Sequence, residues 1–375
     1  MHSFKLGSQT SKVRNSGVEL LKIIAIFLIV ISHFTNTIGT DIFLENSTTN
    51  IQVLVLMLMK QAGNLGNNVF FVCSAWFLVG KKATARKKAF SLLCTVWSIS
   101  VLMLCLYLII HPSYLTIKDI IRQIFPTCFE NNWYMTCYII FLFIYPWLNE
   151  LMEITNQKQL LRITLFTSSL WIIANYLINS WFFPSILILW VTIYFLISYL
   201  KLYCCKIMSN IKFGIILLTV GIIGSVAQIV VTNYVGLYLI NAFSNKVLHW
   251  SSNCCPFFIM IAIGSVIIVQ KSNYKVKFIN CISGLSMYVY LFHENYLFRT
   301  YTRPAIWKHL YENYGCSHVV LLDFICAIIL FVVSVIVSFV YKETLQRFVM
   351  FVSNKLYSGL VRAYNRIEHF MLKIS

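Results

Sequence analysis

The sequence predicts an all-α fold, a polytopic transmembrane bundle of about ten helices that ends in a cytoplasmic amphipathic C-terminal helix. Three observations lead there. Of 375 residues, 59% are hydrophobic, 16% aromatic and only 11% charged, too little polar surface to cover a soluble globule. Apolar stretches of membrane-crossing length recur along the chain. The Lys and Arg residues behind the formal net charge of +18 sit in short clusters between those stretches, not on a polar domain. That distribution sets topology and argues against nucleic-acid binding.

Taken in order, the first 16 residues are polar and basic (Lys5, Lys12, Arg14), and no small-residue cleavage site follows the next apolar stretch. The first span, 16–38, is therefore expected to stay as an anchor. Asn36 to Asn50 carries Asp41 and Glu45 but no Lys or Arg, which assigns it to the outside. From Ile51 to Gly80 the chain is apolar apart from Lys60 and the run Gly63-Asn64-Leu65-Gly66-Asn67-Asn68. That run reads as a break in a helix lining a cavity. KKATARKK, 81–88, follows with five positive charges, the strongest inside-facing signal. Further spans are expected near 89–111, 133–150, 161–181, 184–203, 213–233, 253–270, 278–298 and 319–341.

Alternating the loops places 22 basic residues inside and six outside (Lys118, Arg122, Lys246, Arg299, Arg303, Lys308). This asymmetry predicts a multi-pass protein of the inner or plasma membrane with both termini cytoplasmic. No internal repeat or low-complexity linker divides the chain, so residues 1–350 read as one transmembrane domain. The tail, 351–375, alternates Val352, Leu356, Leu360, Val361, Ile367 and Met371 with Lys355, Arg362, Arg366 and Lys373. Such a helix lies along the lipid of the inner leaflet. Twelve cysteines include no CxxC, and most fall within apolar spans as small hydrophobes, which gives no metal site. Cys128 and Cys316, in expected outer loops, are the one pair placed for a disulfide.

The first span carries Glu19, Lys22 and His33. Eleven steps at about 100° bring Lys22 and His33 to one face at different depths, and Glu19 lies near enough to pair with Lys22. In lipid these groups are costly, so they are expected to face protein or a watery cavity. Lys22 alone also fits snorkelling to headgroups, and a lone intramembrane His also fits a helix-to-helix hydrogen bond. Other unusual polar residues gather at the outer ends of helices: His111, the run Glu130-Asn131-Asn132-Trp133-Tyr134, and His293-Glu294. Together they suggest a polar pocket open outward above a positive inner entrance.

ELLKIIAIFLIVISHF resembles the R-x10-H signature of the acyltransferase family 3 membrane enzymes, with Lys22 in place of the arginine. NNVFFVCSAWFLVG (67–80) is similar to the family's FF-x-x-SG-x-F-L segment, with Ala75 where glycine is expected. NNWYMTCYIIFLFIYPWLN (131–149) resembles WY-x-x-x-Y followed by P-x-LN, and ISGLSMYVYLFHEN (282–295) resembles the late YL-x-H helix. The resemblance implies O-acyl transfer, most often of acetyl and in some members of succinyl, from cytoplasmic acyl-CoA to a hydroxyl of an extracytoplasmic polysaccharide or glycolipid. No permanently bound cofactor is implied. A neutral imidazole suits deprotonation of a sugar hydroxyl near pH 7, which makes His33 the expected general base. Lys22, a point charge without a bidentate fork, is the expected catalytic-site cation toward the coenzyme A phosphates. Glu19, Asn68, Ser74, Trp133, Tyr134 and His293 complete the expected substrate-binding set, with Ser74, Asn68 and Trp133 as oxyanion donors. Association into a homo-oligomer stays open. Two other readings compete: a non-enzymatic carrier or flippase for a lipid-linked glycan or anion, and a different membrane acyltransferase superfamily in which His293 is the base.

Overall fold

The computed structural model describes residues 15–37, 51–81, 85–129, 131–178, 186–239, 250, 252–272, 274–314 and 318–374. The expected outer loop around Asp41 and Glu45, Lys82, Glu130, Lys246 and Cys316 lie outside the described residues; Cys128 is a free, exposed thiol.

Every regular element among the described residues is helical. The helices used below are α1 (Ser16–Thr35), α2 (Ile51–Leu78), α3 (Ala85–Ile110), α4 (Ile117–Ile124), α5 (Trp133–Ile154), α6 (Gln157–Trp171), α7 (Ile186–Tyr203), α8 (Cys205–Met208), α9 (Ile211–Tyr238), α10 (Pro256–Val269), α11 (Lys277–Ser283), α12 (Ser286–His293), α13 (Arg303–Tyr314), α14 (Val319–Thr344) and α15 (Gln346–Ile374). Seven stretches among the described residues are long and apolar enough to cross a membrane: Ser16–Thr35, Arg86–Ile110, Trp133–Ile154, Gln157–Leu177, Ile186–Tyr203, Ile211–Thr232 and Val319–Thr344. The other three expected spans appear as the more polar α2, the 14-residue α10 and the split pair α11 and α12. The long apolar spans expose apolar side chains; Ile216 and Ile223 on α9 and Ile329 and Ile336 on α14 are exposed, as lipid contact requires.

α1 is the axis of the bundle. Asn15 caps it, accepting from Gly17 N at 2.9 Å and donating to Gln270 O at 3.0 Å, which ties its start to the end of α10. Along its length it lies against α2, and here the expected break is corrected: α2 runs unbroken through Gly63 to Asn68. The glycines serve close packing instead. A Cβ on Gly63 would stand 2.5 Å from Ser32 Oγ, and one on Gly66 2.5 Å from Ala25 O. Small residues let membrane helices approach to this extent, and Ser32 Oγ closes the contact by donating to Lys60 O at 2.5 Å. The interruption falls in the late span, where Gly284 and Leu285 separate α11 from α12 and a π-helical turn, Phe298–Thr302, leads into α13.

The tail is helical, as the pattern of Val352 to Met371 requires, but begins at Gln346 rather than Phe351. Leu356, Leu360, Ile367 and Phe370 are exposed on its apolar face.

Candidate active site

Two cavities flank α1 at different depths. The inner one, about 300 Å³, is lined by Glu19, Lys22, Ser74, Lys88, Tyr134 and Tyr290 among others. The outer one, about 340 Å³, is lined by His33, Asn36, Lys60, Asn64, Asn67 and Trp133 among others. Lys22 and His33, on one face of α1 but eleven residues apart, thus line different chambers.

At the inner cavity Lys22 Nζ lies 3.3 Å from Glu19 Oε1, and Ser283 Oγ donates to Glu19 Oε2. Lys22 is thus held by a carboxylate that α11 itself orients. Lys88, from the 81–88 cluster, adds a second cation to the lining.

At the outer cavity the decisive contacts belong to α12. His33 Nδ1 lies 2.9 Å from Glu294 Oε2 and 3.0 Å from His293 Nε2. His293 Nδ1 lies 2.6 Å from Val289 O. A carbonyl oxygen only accepts, so in neutral His293 the proton sits on Nδ1 and Nε2 carries a lone pair. His33 Nδ1 must then be the donor, sharing its hydrogen between His293 Nε2 and the Glu294 carboxylate. In the neutral ring its Nε2 then carries the lone pair, on a side chain that lines the outer cavity. Both nitrogens of His293, which is 1% exposed, are engaged within the protein, and the residue lines neither cavity. Expected as a substrate-binding residue, it sits behind His33 and orients it.

Glu294 is 5% exposed and would be costly alone. Two guanidiniums hold it: Arg299 donates to Oε1 at 2.9 Å and Arg303 to Oε2 at 3.0 Å. His33, His293 and Glu294 also cluster closely enough to suggest metal ligands. Both carboxylate oxygens meet arginines and three of the four ring nitrogens already lie at hydrogen-bond distance, so a divalent cation there would have to displace these contacts and would add charge to a site already net positive. Behind the arginines Asp119 accepts from Tyr296 and Tyr301, each at 2.8 Å, and forms a capping box with Thr116. Burial pushes its carboxyl up, but the hydrogen bonds from Thr116, Tyr301 and Tyr296 draw it down further, to about 2, so this latch stays ionised at neutral pH.

The remaining expected residues divide. Trp133 and Tyr134 open α5 and line the outer and inner cavities respectively. Ser74 lines the inner cavity but donates its hydroxyl to Phe70 O at 3.0 Å. Asn68 has its amide committed to Asn64 O and Asn253 O, both at 3.0 Å, and lines neither cavity. His111 is exposed at the end of α3 and joins neither chamber. Sequence reasoning placed Glu294 in the outward polar pocket without giving it a role, and missed Arg299 and Arg303 as site residues, for a physical reason. On one straight α-helix, five and nine steps place the arginines about 140° and 180° away from Glu294. The turn after α12 and the π-helical turn bring them back.

An acyltransferase domain profile matches residues 15–343, nearly the whole chain. The chain belongs to acyltransferase family 3. The acyltransferase domain starts at the residue that caps α1 and ends within α14, so α15 lies beyond it. No curated protein and no solved structure matches the chain. The profile match makes it a membrane acyltransferase, and the two cavities beside α1 lie within the matched residues.

Proposed function

We propose that the protein transfers an acyl group, acetyl in the simplest case, from acyl-CoA at the inner cavity to a hydroxyl of an extracytoplasmic carbohydrate at the outer cavity. The observation that carries this reading is the placement of His33, whose Nδ1 lies against Glu294 and His293 while its ring lines the outer cavity, so that in the neutral imidazole Nε2 is the nitrogen left to take a proton. Amide groups of Asn36, Gln61, Asn64 and Asn67 beside the indole of Trp133 suit a polyhydroxylated ring. The donor side is supported by Lys22 and Lys88, whose charge suits the coenzyme's phosphates. The 22-to-6 distribution of basic residues supports a cytoplasmic inner mouth, cytoplasmic termini and a plasma-membrane location. A carrier would leave surface glycans chemically unchanged. Mass spectrometry of envelope polysaccharide should therefore show acyl groups that vanish when the gene is deleted and return on complementation. Identical acyl content in all three strains would sink the reading.

Lys22 tests the donor side. If it acts mainly as a charge, Lys22→Arg retains much of the activity, while Lys22→Met loses most of it by weakening the donor interaction. Titrating acyl-CoA against transfer rate in membrane vesicles separates the two effects. An unaltered donor dependence in Lys22→Met would reduce the residue to a helix anchor.

A further inference from the structure

Acyl transfer through a tetrahedral intermediate needs donors for the oxyanion as well as a base, and the residues expected from sequence serve poorly, since Asn68 and Ser74 have their hydrogens committed elsewhere. Two tyrosines stand better placed. Tyr134 and Tyr290 are each 4% exposed, line the inner cavity, and have ring centroids 5.8 Å apart. Neither phenolic O–H finds an acceptor, although the Tyr290 oxygen faces the backbone N–H of Tyr134 in the first turn of α5. A buried hydroxyl without a partner is uncommon and costly, and these two lie together in one cavity wall.

Their position is the second observation. Trp133, one residue before Tyr134, and His33, whose ring centroid is 6.4 Å from that of Tyr290, both line the other chamber. The pair therefore stands at the boundary between the two cavities, on the inner side of the base.

The geometry points to Tyr134 and Tyr290 as the oxyanion-binding pair of the acyl transfer proposed above, and the assignment rests on that reading. The acceptor oxygen adds to the thioester carbonyl carbon as its proton passes to His33 Nε2. The carbonyl π pair moves onto oxygen, where the two phenolic O–H groups donate to it. Collapse re-forms the carbonyl, breaks the C–S bond and expels the coenzyme A thiolate. The proton on His33 Nε2 goes to that sulfur, which leaves ester and free thiol with no charge unaccounted for.

The test is Tyr290→Phe and Tyr134→Phe, which remove one oxygen each and keep the rings. Inverted membrane vesicles supplied with radiolabelled acetyl-CoA at the cytoplasmic face report transfer to the endogenous acceptor. Infrared difference spectra of carbonyl-labelled acetyl-CoA bound to the purified protein report contact with the carbonyl directly. Each variant should lose roughly 10²-fold in rate at saturating donor. Tyr134→Phe should melt no lower than wild type, because its hydroxyl has no partner to lose, and Tyr290→Phe should lose at most the contact with the Tyr134 N–H. The bound carbonyl band should shift back toward its position in water, while the pH profile set by His33 stays in place. Phe variants with wild-type rates and an unmoved band would overturn the oxyanion assignment while leaving the enzyme reading intact. Wild-type protein that neither binds acetyl-CoA nor labels any acceptor would overturn both.

Discussion

His33→Gln should insert and fold normally yet lose acyl transfer by at least about 10² to 10⁴, the usual contribution of a general base. Glutamine has similar bulk and keeps a donor for Glu294 and an acceptor for the cavity, but offers no nitrogen that takes a proton near pH 7. His33→Ala should insert as well, because about twenty residues of α1 still span the bilayer, and should lose as much activity with the base gone. His293→Gln should fall less far than His33→Gln, since glutamine can still accept from His33 Nδ1. The measurement is acyl groups per sugar repeat, normalised to protein in the membrane. Near-normal acylation in His33→Gln together with a dead His293→Gln would transfer the base to His293, and indifference to both would favour the carrier.

Glu294→Gln should be nearly as damaging, by a different route. An amide can present N–H to His33 Nδ1, which would favour the tautomer with the proton on Nε2 and leave no lone pair toward the acceptor. Where a buried carboxylate holds a catalytic histidine, the corresponding amide costs about 10⁴ in rate, and a loss of that order is expected here. The same change strips Arg303, 5% exposed, of its counter-charge. Breaking a buried pair in this way costs about 3–5 kcal/mol, so thermal stability in detergent should drop too. Glu294→Asp should keep the tautomer and recover part of the rate. A Glu294→Gln protein with wild-type turnover would remove the tautomer argument, however low its melting temperature.

Much of this was legible in the residues. Helical period and spacing along ELLKIIAIFLIVISHF placed Lys22 and His33 on one face, and the composition required a membrane bundle. The run from Gly63 to Asn68 was rightly seen as unusual and wrongly seen as a break, because glycine weakens an isolated helix but permits contact with a neighbour that the sequence does not show. The arginines around Glu294 were read only as outer-loop charge. Their convergence depends on a change of chain direction after α12, which no periodicity encodes. Tyr134 and Tyr290 sat within recognised motifs, but that their hydroxyls lack partners is a property of the packed bundle alone.

The partners of α1 come from opposite ends of the chain, and this orders events during biosynthesis. Glu19 and His33 leave the ribosome early, whereas Ser283, His293, Glu294 and Arg303 follow some 260 residues later. At about 5–20 residues per second the first helix waits roughly ten to fifty seconds for them. During that interval α2, through Gly63, Gly66 and the Ser32 contact, is the first helix that can cover α1, and α10 joins it only near the end. A chain that stops before α12 therefore leaves His33 without the two side chains that hold it in the finished bundle.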